Sequence, residues 1–367
     1  MSKPVIIMLG KLPPPYMGPS IATEIILKSS LRNSFDLIHL DTKAYDSLNE
    51  FGKWSFKKIN KNLSKYAELR RLIRKHKPGL VWIPISQTTA GFLKDSVYIW
   101  IAASAKCKVV LHLRGSNFSN WIESASQLTK YFVKTTMKKC SAVIVLGEKL
   151  RPIFKDYFKE EMIFVVPNGA DYKIPLIQRK DEGIVKLLYI ANLQATKGIE
   201  DVINAIIHLN NTHEGRFRLD VIGDWRSEAI KATCEALISK NRLPVTVFTP
   251  EMKPDKLKFL SESDIFVFTP RAPEGHPWVI VEAMAAGLPI VSTDQGAITE
   301  SVIHERNGYI VNTPDSTQIA SILKKLIENP ELRQRMGKES RKHYLEGFTE
   351  EKMVERLTET FNRILQQ

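Results

Sequence analysis

Residues 264–293 read DIFVFTPRAPEGHPWVIVEAMAAGLPIVST, and this stretch decides the fold class. Two short runs that favour β-strands, 264–269 and 289–293, flank an apolar segment of helical length. Pro277 suits the first position of that helix, and Gly287 suits the left-handed stop after it. A strand, a helix and a second strand in this order predict one βαβ unit of a parallel sheet.

The same alternation extends over all 367 residues, which is enough chain for two domains at about 150 residues each. With 43% hydrophobic and 25% charged residues, the composition is globular and excludes intrinsic disorder. We therefore predict an α/β chain of two doubly wound, Rossmann-like domains in tandem. The predicted strands lie near 3–9, 35–40, 79–84, 107–113, 141–146 and 162–166, then near 184–191, 216–222, 245–248, 264–269, 289–293 and 308–311.

A domain boundary is predicted where Pro167-Asn168-Gly169 leads into a polar segment. We assign residues 1–170 to an N-terminal domain, 171–183 to a linker and 184–347 to a C-terminal domain. Residues 348–367 are predicted to form a final helix, and the sequence leaves open which of the two domains it packs on.

Several other classes of protein lose their main sequence support. The chain has no P-loop, no G-x-G-x-x-G, no G-x-S-x-G and no H-E-x-x-H motif, and it has no D-x-D pair for a divalent metal. Its three cysteines are widely spaced, which argues against a disulfide framework and a zinc site and favours reduced cytosolic thiols. The run Val5–Leu9 predicts a first strand rather than a signal peptide, and we expect no membrane span.

The helix of the opening stretch carries one carboxylate, Glu282, on an otherwise apolar segment. A buried carboxylate costs several kcal/mol unless it is paired or bound, by the usual order of magnitude. Glu282 is therefore either a structural residue held by a neighbouring Arg or by backbone, or a ligand-binding residue. The free N–H groups at the start of this helix would form an anion site.

Glu274 precedes Glu282 with seven residues between them, and Gly287-Leu288-Pro289 follows. This pattern resembles the E-x7-E region of the retaining glycosyltransferases of family 4, of the bacterial surface-polysaccharide type. The resemblance extends to Tyr189-Ile190-Ala191-Asn192-Leu193 with Lys197-Gly198, which are placed like the family's diphosphate clamp. It also includes Gly18 after a Pro-rich loop, and it is most secure over residues 184–310.

The resemblance implies a GT-B fold, in which two Rossmann-like domains face a cleft that holds a nucleotide sugar. It implies no metal and no other cofactor, and a UDP-sugar is favoured over a GDP-sugar. Carried over, Glu274 contacts the transferred sugar, Glu282 binds the nucleotide ribose and Lys197 neutralises the departing diphosphate. The backbone around Gly275 and His276, and the loop at Gly18, add contacts to the nucleotide sugar.

Two departures from the family pattern affect this site. Asn192 replaces the clamp arginine, so it offers only a neutral hydrogen bond and leaves Lys197 as the cation. Arg114 stands where the family has a histidine before a glycine, whereas His112 lies two residues earlier on the same face of the strand. His112 is a candidate catalytic residue and Arg114 a candidate binding residue, and the sequence leaves open which of them faces the cleft.

The net charge of +13 is unevenly distributed along the chain. Residues 1–170 hold 27 Lys+Arg and 12 Asp+Glu, whereas the remainder holds 26 and 28. Within the first part, residues 53–77 contain ten cations and one acid. Apolar residues recur at helical spacing among these charges. Such a helix can either pack its apolar face into the domain or lie against an anionic membrane. The predicted membrane-facing residues are Lys57, Lys58, Lys61, Lys65, Arg71, Arg74 and Lys75.

Together these features predict a metal-independent retaining glycosyltransferase. Its expected partners are a nucleotide-sugar donor, a lipid-linked saccharide acceptor of surface polysaccharide (O-antigen or capsule) assembly, and an anionic membrane surface. We expect residues 1–170 to face the acceptor and the membrane, and residues 184–347 to bind the nucleotide sugar. The protein is expected to be cytoplasmic and peripheral to the inner face of the plasma membrane. The alternatives are a GT-B sugar-nucleotide epimerase or phosphorylase, and a basic nucleic-acid-binding protein. The last alternative leaves the Glu274/Glu282 pattern unexplained, so we expect no nucleic-acid partner.

Overall fold

The computed structural model describes residues 3–14, 16–43, 56–175, 183–252 and 254–367, except for the side chains of 56–61. The chain divides into two compact units. The first unit comprises Met1–Ala170 and Glu350–Gln367, and the second comprises Asp171–Thr349. Residues 176–182 of the predicted linker lie outside the described residues.

Each unit is built around one parallel sheet of six described strands. The strands of the first unit are β1 (Val5–Gly10), β2 (Asp36–Asp41), β3 (Leu80–Pro84), β4 (Lys108–His112), β5 (Ala142–Val145) and β6 (Ile163–Val165). Those of the second are β7 (Val185–Ile190), β8 (Phe217–Ile222), β9 (Val245–Phe248), β10 (Ile265–Phe268), β11 (Ile290–Thr293) and β12 (Gly308–Val311).

Helices connect the strands in both units. Those of the first unit are α1 (Gly18–Lys28), α2 (Phe56–His76), α3 (Thr89–Ser104), α4 (Phe118–Ser124), α5 (Gln127–Met137) and the C-terminal α13 (Glu350–Leu365). Those of the second are α6 (Ile199–His213), α7 (Glu228–Lys240), α8 (Lys256–Glu262), α9 (Trp278–Ala285), α10 (Ile298–Ser301), α11 (Ser316–Glu328) and α12 (Pro330–Gly347).

The α/β class predicted from the sequence is confirmed. Every predicted strand corresponds to an observed one, with ends that agree within two residues. The agreement has a physical reason, because parallel strands are covered by helices on both faces and are therefore written as continuous apolar runs. Pro277 lies one residue outside α9, at its N-cap, whereas Gly287 adopts the expected left-handed conformation with φ at +65°.

The order of the strands locates the crevice in each sheet. The first sheet has the order β2-β1-β3-β4-β5-β6 and the second has the order β12-β11-β10-β7-β8-β9. The direction of winding therefore reverses between β1 and β3 in the first unit, and between β7 and β10 in the second. Ligands of doubly wound sheets bind outside the carboxyl ends of the strands at this reversal.

The C-terminal helix α13 packs on the first unit. Leu357, Phe361 and Ile364 recur at helical spacing and are fully buried. The Phe361 ring meets the Trp82 ring edge-on, with 5.1 Å between centroids, and the Phe35 ring at 5.7 Å. The packing partner of this helix, which the sequence left open, is therefore the sheet of the first unit.

The cysteines Cys107, Cys140 and Cys234 are all free. Among the described helices, none combines the length and the apolar composition that a membrane crossing requires.

Candidate active site

Two loops meet at the winding reversal of the second sheet. Residues 191–198 follow β7 and residues 269–277 follow β10, and the Arg271 amide donates to the Thr196 carbonyl at 3.0 Å. Gly198 has a φ of +76°, and a Cβ at this position would lie 1.9 Å from the Thr269 carbonyl oxygen. The close approach of the two loops therefore requires glycine here.

Lys197 and Glu274, the predicted cation and sugar contact, form an ion pair across these two loops. Their side chains are 23% and 14% exposed, so the pair is partly withdrawn from solvent. Charges in such a setting are screened less by water and salt than charges on an open surface. The crevice thus presents an ammonium group and a carboxylate side by side, which suits a ligand that carries both an anion and hydroxyl groups.

The loop that carries Glu274 is held by a second close approach of backbone. Gly296 has a φ of +57°, and a Cβ there would lie 1.7 Å from the Glu274 carbonyl oxygen. The Ala297 amide also donates to the Gly275 carbonyl at 2.9 Å. These contacts fix the backbone of Glu274 and Gly275 against the segment that follows β11.

His276 has its side chain turned into the second unit. The imidazole is buried, its Nε2 lies 2.7 Å from the Ser301 hydroxyl, and its ring contacts the Phe348 ring. Its imidazole therefore anchors the start of α9. The predicted contact with a nucleotide sugar at this position is therefore left to the backbone of the loop, where the resemblance puts it.

Glu282 is buried in α9, and its carboxylate has a cationic partner that the sequence analysis did not identify. Lys256 at the start of α8 donates to the Glu282 Oε1 at 2.6 Å, and the Tyr172 hydroxyl faces the same carboxylate. Burial raises the pKa of Glu282, and the attraction of Lys256 opposes this shift. The sequence analysis expected an arginine or backbone groups as the partner of Glu282. Nothing in the sequence marked Lys256 as that partner, because a lysine at the start of a helix has no pattern that links it to a distant carboxylate.

Asn192 lies next to an arginine that the sequence analysis also missed. The Leu193 amide donates to the Asp224 carbonyl at 2.9 Å, and the Arg226 amide donates to the Leu193 carbonyl at 3.1 Å. These bonds hold the segment after β8 against the loop after β7. They bring the Arg226 guanidinium within 3.4 Å of the Asn192 side-chain oxygen.

Arg271 in the loop after β10 has a structural role. Its Nε and Nη2 both donate to the carboxylate of Asp201, and its Nη1 lies 3.7 Å from Glu200. The hydrogen bond to Asp201 raises the pKa of Arg271. This fork ties the loop after β10 to the first turn of α6, so the guanidinium positions the loop that carries Glu274.

The remaining predicted site residues, Gly18, His112 and Arg114, lie in the first unit. Gly18 begins α1. His112 is buried at the end of β4 and stacks on Trp82 with 5.4 Å between ring centroids, and burial holds its pKa well below the ordinary value. Arg114 instead lines a cavity at the carboxyl ends of β1, β3 and β4.

Four of the predicted membrane-facing residues have described side chains. Lys65 pairs with Glu68 at 3.0 Å, whereas Arg71, Arg74 and Lys75 are exposed. The side chains of Lys57, Lys58 and Lys61 lie outside the described residues. Within the described part of the chain, no cluster of three or more His, Cys, Asp or Glu side chains is arranged to hold a metal ion.

Most of the second unit matches a known family of proteins. Residues 173–343 match the family model described as glycosyl transferases group 1. The chain is 28% identical over 260 residues to the capsular polysaccharide biosynthesis glycosyltransferase CapM of Staphylococcus aureus, a match that covers 65% of this chain and 67% of CapM. It is 27% identical over 180 residues to the N-acetyl-alpha-D-glucosaminyl L-malate synthase of Bacillus anthracis, covering 48% of this chain and 46% of the synthase. These similarities support a glycosyltransferase.

Solved structures of the same fold match at least 98% of this chain. Anabaena HepE, solved in complex with UDP, has a TM-score of 0.75 at 18% identity over 98% of this chain and 100% of HepE. The sucrose-phosphate synthase of Thermosynechococcus elongatus has a TM-score of 0.76 at 14% identity over 100% of both chains. The predicted GT-B fold is therefore confirmed, with six parallel strands in each α/β unit among the described residues.

Proposed function

We propose that this chain is a metal-independent, retaining glycosyltransferase that moves a sugar from a UDP-sugar to a lipid-linked saccharide acceptor in surface polysaccharide biosynthesis. The observation that carries this proposal is the Lys197–Glu274 pair. It lies at the winding reversal of the second sheet, inside the segment that matches the group 1 glycosyl transferases.

Glycosyl transfer requires stabilisation of a leaving nucleoside diphosphate, on which negative charge develops as the glycosidic bond breaks. In the proposed reaction the Lys197 ammonium exchanges its contact with Glu274 for the departing phosphate. Backbone N–H groups of the loop before α9 add neutral donors to the same oxygens. Donors that are fixed before the reaction stabilise this charge without reorganising, which is the usual source of the largest catalytic contribution.

The two carboxylates have separate roles in the proposal. Glu274, freed from Lys197 when the phosphate binds, accepts hydrogen bonds from hydroxyl groups of the transferred sugar. Glu282 binds the ribose hydroxyls, and its pairing with Lys256 opposes the effect of burial, which favours the protonated form of the carboxylate. Both roles position the donor, so that the reacting carbon faces the acceptor hydroxyl.

Retention follows if the acceptor hydroxyl attacks from the face that the diphosphate leaves. The departing phosphate oxygen then accepts the proton of the acceptor hydroxyl, and no protein nucleophile is needed. UDP is the proposed carrier because HepE, which shares the fold, was solved with UDP, and also with UDP-glucose. No cofactor is included in this scheme.

A lipid-linked acceptor and a peripheral membrane location are supported by a surface on α2, α3 and α5, which we call the apolar-cationic surface. Its apolar part comprises the exposed side chains Leu93, Val97, Trp100, Leu128 and Tyr131. Val97 and Trp100 of this part line a groove between the three helices, and Arg70, Arg74 and Phe132 line the same groove. Lys134, Lys138 and Lys139 are exposed on and after α5.

Apolar side chains flanked by cations match the inner leaflet of a plasma membrane. Each cation near such a surface contributes about 1 kcal/mol, and aromatic rings favour the headgroup region. The proposed location is therefore the cytoplasmic face of that membrane. CapM, a capsular polysaccharide glycosyltransferase by name, supports the assignment to surface polysaccharide.

The test uses purified protein and a panel of UDP- and GDP-sugars, with donor hydrolysis and thermal stabilisation as the two measurements. We expect one UDP-sugar to be hydrolysed slowly without added metal, with retention at the anomeric carbon. Lys197→Ala and Glu274→Ala should each lower the rate about 100-fold or more, the scale for removing a fixed stabilising group.

Lys240→Ala and Glu235→Ala, which change exposed residues of α7, serve as matched controls. Near-normal turnover in Lys197→Ala or Glu274→Ala would refute the assigned roles. An epimerised nucleotide sugar, or turnover that depends on inorganic phosphate, would instead establish one of the two alternative GT-B activities.

A further inference from the structure

The phenol of Tyr189 connects the core of the second unit to the loop that carries Lys197. Tyr189 is the penultimate residue of β7 and is fully buried, and its hydroxyl donates to the Lys197 carbonyl at 2.8 Å. The ring packs in the core, with 6.3 Å between its centroid and that of the Phe268 ring. The hydroxyl is therefore the part of this side chain that reaches the candidate active site.

Packing alone does not account for a tyrosine at this position. A phenylalanine would fill the same apolar site without the free-energy cost of burying a hydroxyl, which is offset only when the hydroxyl forms a hydrogen bond. Burial, followed by the negative charge of Glu274, raises the pKa of Tyr189 well above its ordinary value. The phenol therefore stays protonated and remains a hydrogen-bond donor near the Glu274 carboxylate.

The bond from Tyr189 completes the fixing of the Lys197 backbone. Ala195–Lys197 form a short 3₁₀ helix, in which the Lys197 amide donates to the Gln194 carbonyl at 2.9 Å. The Lys197 carbonyl accepts from the Tyr189 hydroxyl. Because both polar groups of this backbone residue are held, the direction in which the Lys197 side chain leaves the chain is also fixed.

This direction matters because a lysine ammonium stands at the end of a flexible four-carbon stem. In the protein described here, the far end of the Lys197 stem is held by Glu274. In the proposed reaction the ammonium leaves Glu274 for the departing phosphate, so the backbone end is then the part that remains fixed. Misplacing a catalytic group by about 1 Å can lower a rate by up to about 100-fold.

We propose that Tyr189 is a positioning residue, whose hydroxyl orients Lys197 toward the departing diphosphate by holding the Lys197 carbonyl. The effect on the reaction rests on the proposed glycosyltransferase function, whereas the orientation of the Lys197 side chain does not. Tyr189 itself contacts neither the donor nor the acceptor in this scheme.

The kinetic test uses Tyr189→Phe, which keeps the ring and removes the hydroxyl. We expect kcat with the UDP-sugar to fall about tenfold, the scale of one hydrogen bond, while KM changes less than about twofold. In the Lys197→Ala background, Tyr189→Phe should lower the rate no further. A positioning residue has no effect once the residue that it positions is gone.

A second variant covers a failure of Tyr189→Phe to fold. 4-Fluorophenylalanine at position 189 places a fluorine in the space of the hydroxyl but donates no hydrogen bond, so it should lower kcat to the same extent. Tyr66→Phe is the matched control, because the half-buried Tyr66 hydroxyl also donates to a lysine carbonyl, that of Lys94, at 3.1 Å in the first unit. It should leave kcat unchanged.

A further measurement does not depend on activity. The rate at which N-acetoxysuccinimide acetylates Lys197 in the free chain can be followed by mass spectrometry. The Lys197 side chain is 23% exposed and paired with Glu274, so the wild-type rate should be low. It should rise several-fold in Tyr189→Phe, because a less constrained lysine leaves Glu274 more often, and should not change in Tyr66→Phe.

Unchanged kcat and unchanged acetylation of Lys197 in Tyr189→Phe would overturn the proposal. So would an equal fall in rate in the wild-type and Lys197→Ala backgrounds, because Tyr189 would then act by another route. If the chain hydrolyses no sugar nucleotide, the glycosyltransferase function is rejected. Faster acetylation in Tyr189→Phe would then retain the orientation of Lys197 by Tyr189, and an unchanged rate would overturn it.

Discussion

The Arg226 guanidinium donates through Nη2 to the Asn192 side-chain oxygen at 3.4 Å, although the two residues follow different strands. A cation from the loop after β8 thus lies beside the position where the sequence pattern offers only a neutral amide. Arg226 also pairs with Asp224 at 3.2 Å, which orients the guanidinium without burying it.

We expect the Arg226 guanidinium, which lies beside Asn192 of the predicted diphosphate clamp, to make one charge-assisted contact to the diphosphate. Arg226→Ala should therefore weaken donor binding and lower transfer about tenfold. Steady-state kinetics with the UDP-sugar measures this effect. Adding Asn192→Arg to Arg226→Ala should restore much of the activity, since it returns a guanidinium to the same place. The control is Arg218→Ala, which changes an exposed arginine near the start of β8, the strand that precedes Arg226. Unchanged kinetics in Arg226→Ala would remove Arg226 from the site.

Gly198→Ala should destabilise the second unit and also impair catalysis. Its positive φ disfavours alanine by about 1–2 kcal/mol, and the added Cβ would collide with the Thr269 carbonyl and displace Lys197. Gly215→Ala is a matched control, because Gly215 has nearly the same φ, +75°, with open space around a Cβ. Chemical denaturation should give a larger loss of unfolding free energy for Gly198→Ala. Equal losses of unfolding free energy in the two variants would mean that the close approach of the loops after β7 and β10 contributes nothing to stability.

The buried Glu282 predicts a specific pH dependence of stability. Its folded pKa is raised by burial above the unfolded value of about 4.5, so the folded chain holds the proton more tightly. The contribution of this group to stability is therefore largest below the unfolded pKa, and it decreases as the pH rises through the folded pKa.

Glu282→Gln removes this contribution, so its Tm relative to wild type should increase as the pH rises from 4 through the folded pKa. The same variant should bind UDP several-fold more weakly, because it loses the charged ribose contact. Glu262→Gln, which changes a partly exposed carboxylate of α8, is the control. A Tm difference between Glu282→Gln and wild type that does not vary with pH would contradict the raised pKa.

The apolar-cationic surface predicts binding to anionic vesicles. Leu128 and Tyr131 are 78% and 67% exposed, and burying such side chains in a membrane interface contributes roughly 1–3 kcal/mol each. The double variant Leu128→Glu/Tyr131→Glu should reduce sedimentation with phosphatidylglycerol vesicles at least tenfold. Met252→Glu/Leu345→Glu, at exposed apolar residues of the second unit, should not.

Salt should weaken the wild-type binding because the cations contribute to it. Equal sedimentation of the two double variants would reject this surface as the contact. Binding to duplex DNA without binding to vesicles would favour the nucleic-acid alternative instead.

Much of the fold was readable from the sequence because each element is encoded locally. A strand covered by helices on both faces appears as an apolar run, and the loops between elements carry Gly and Pro at the positions that need them. Glu274 and Lys197 were singled out individually by the family resemblance, not by the strands that they follow. The final helix was predictable as an element, but its packing partner was not.

Among the described residues, local patterns of apolar and turn residues specified the strands of both parallel sheets and the loops that follow β7 and β10. The folded units bring together polar side chains that lie far apart along the chain: Lys256 with Glu282, Arg226 with Asn192 and Lys197 with Glu274, across separations of 26, 34 and 77 residues. Only the tertiary structure decided that Arg114 lines a cavity while His112 stacks in the core. The physical reason is that periodicity and turn chemistry act over a few residues, whereas ion pairs and cavities depend on the order of the strands in the sheet.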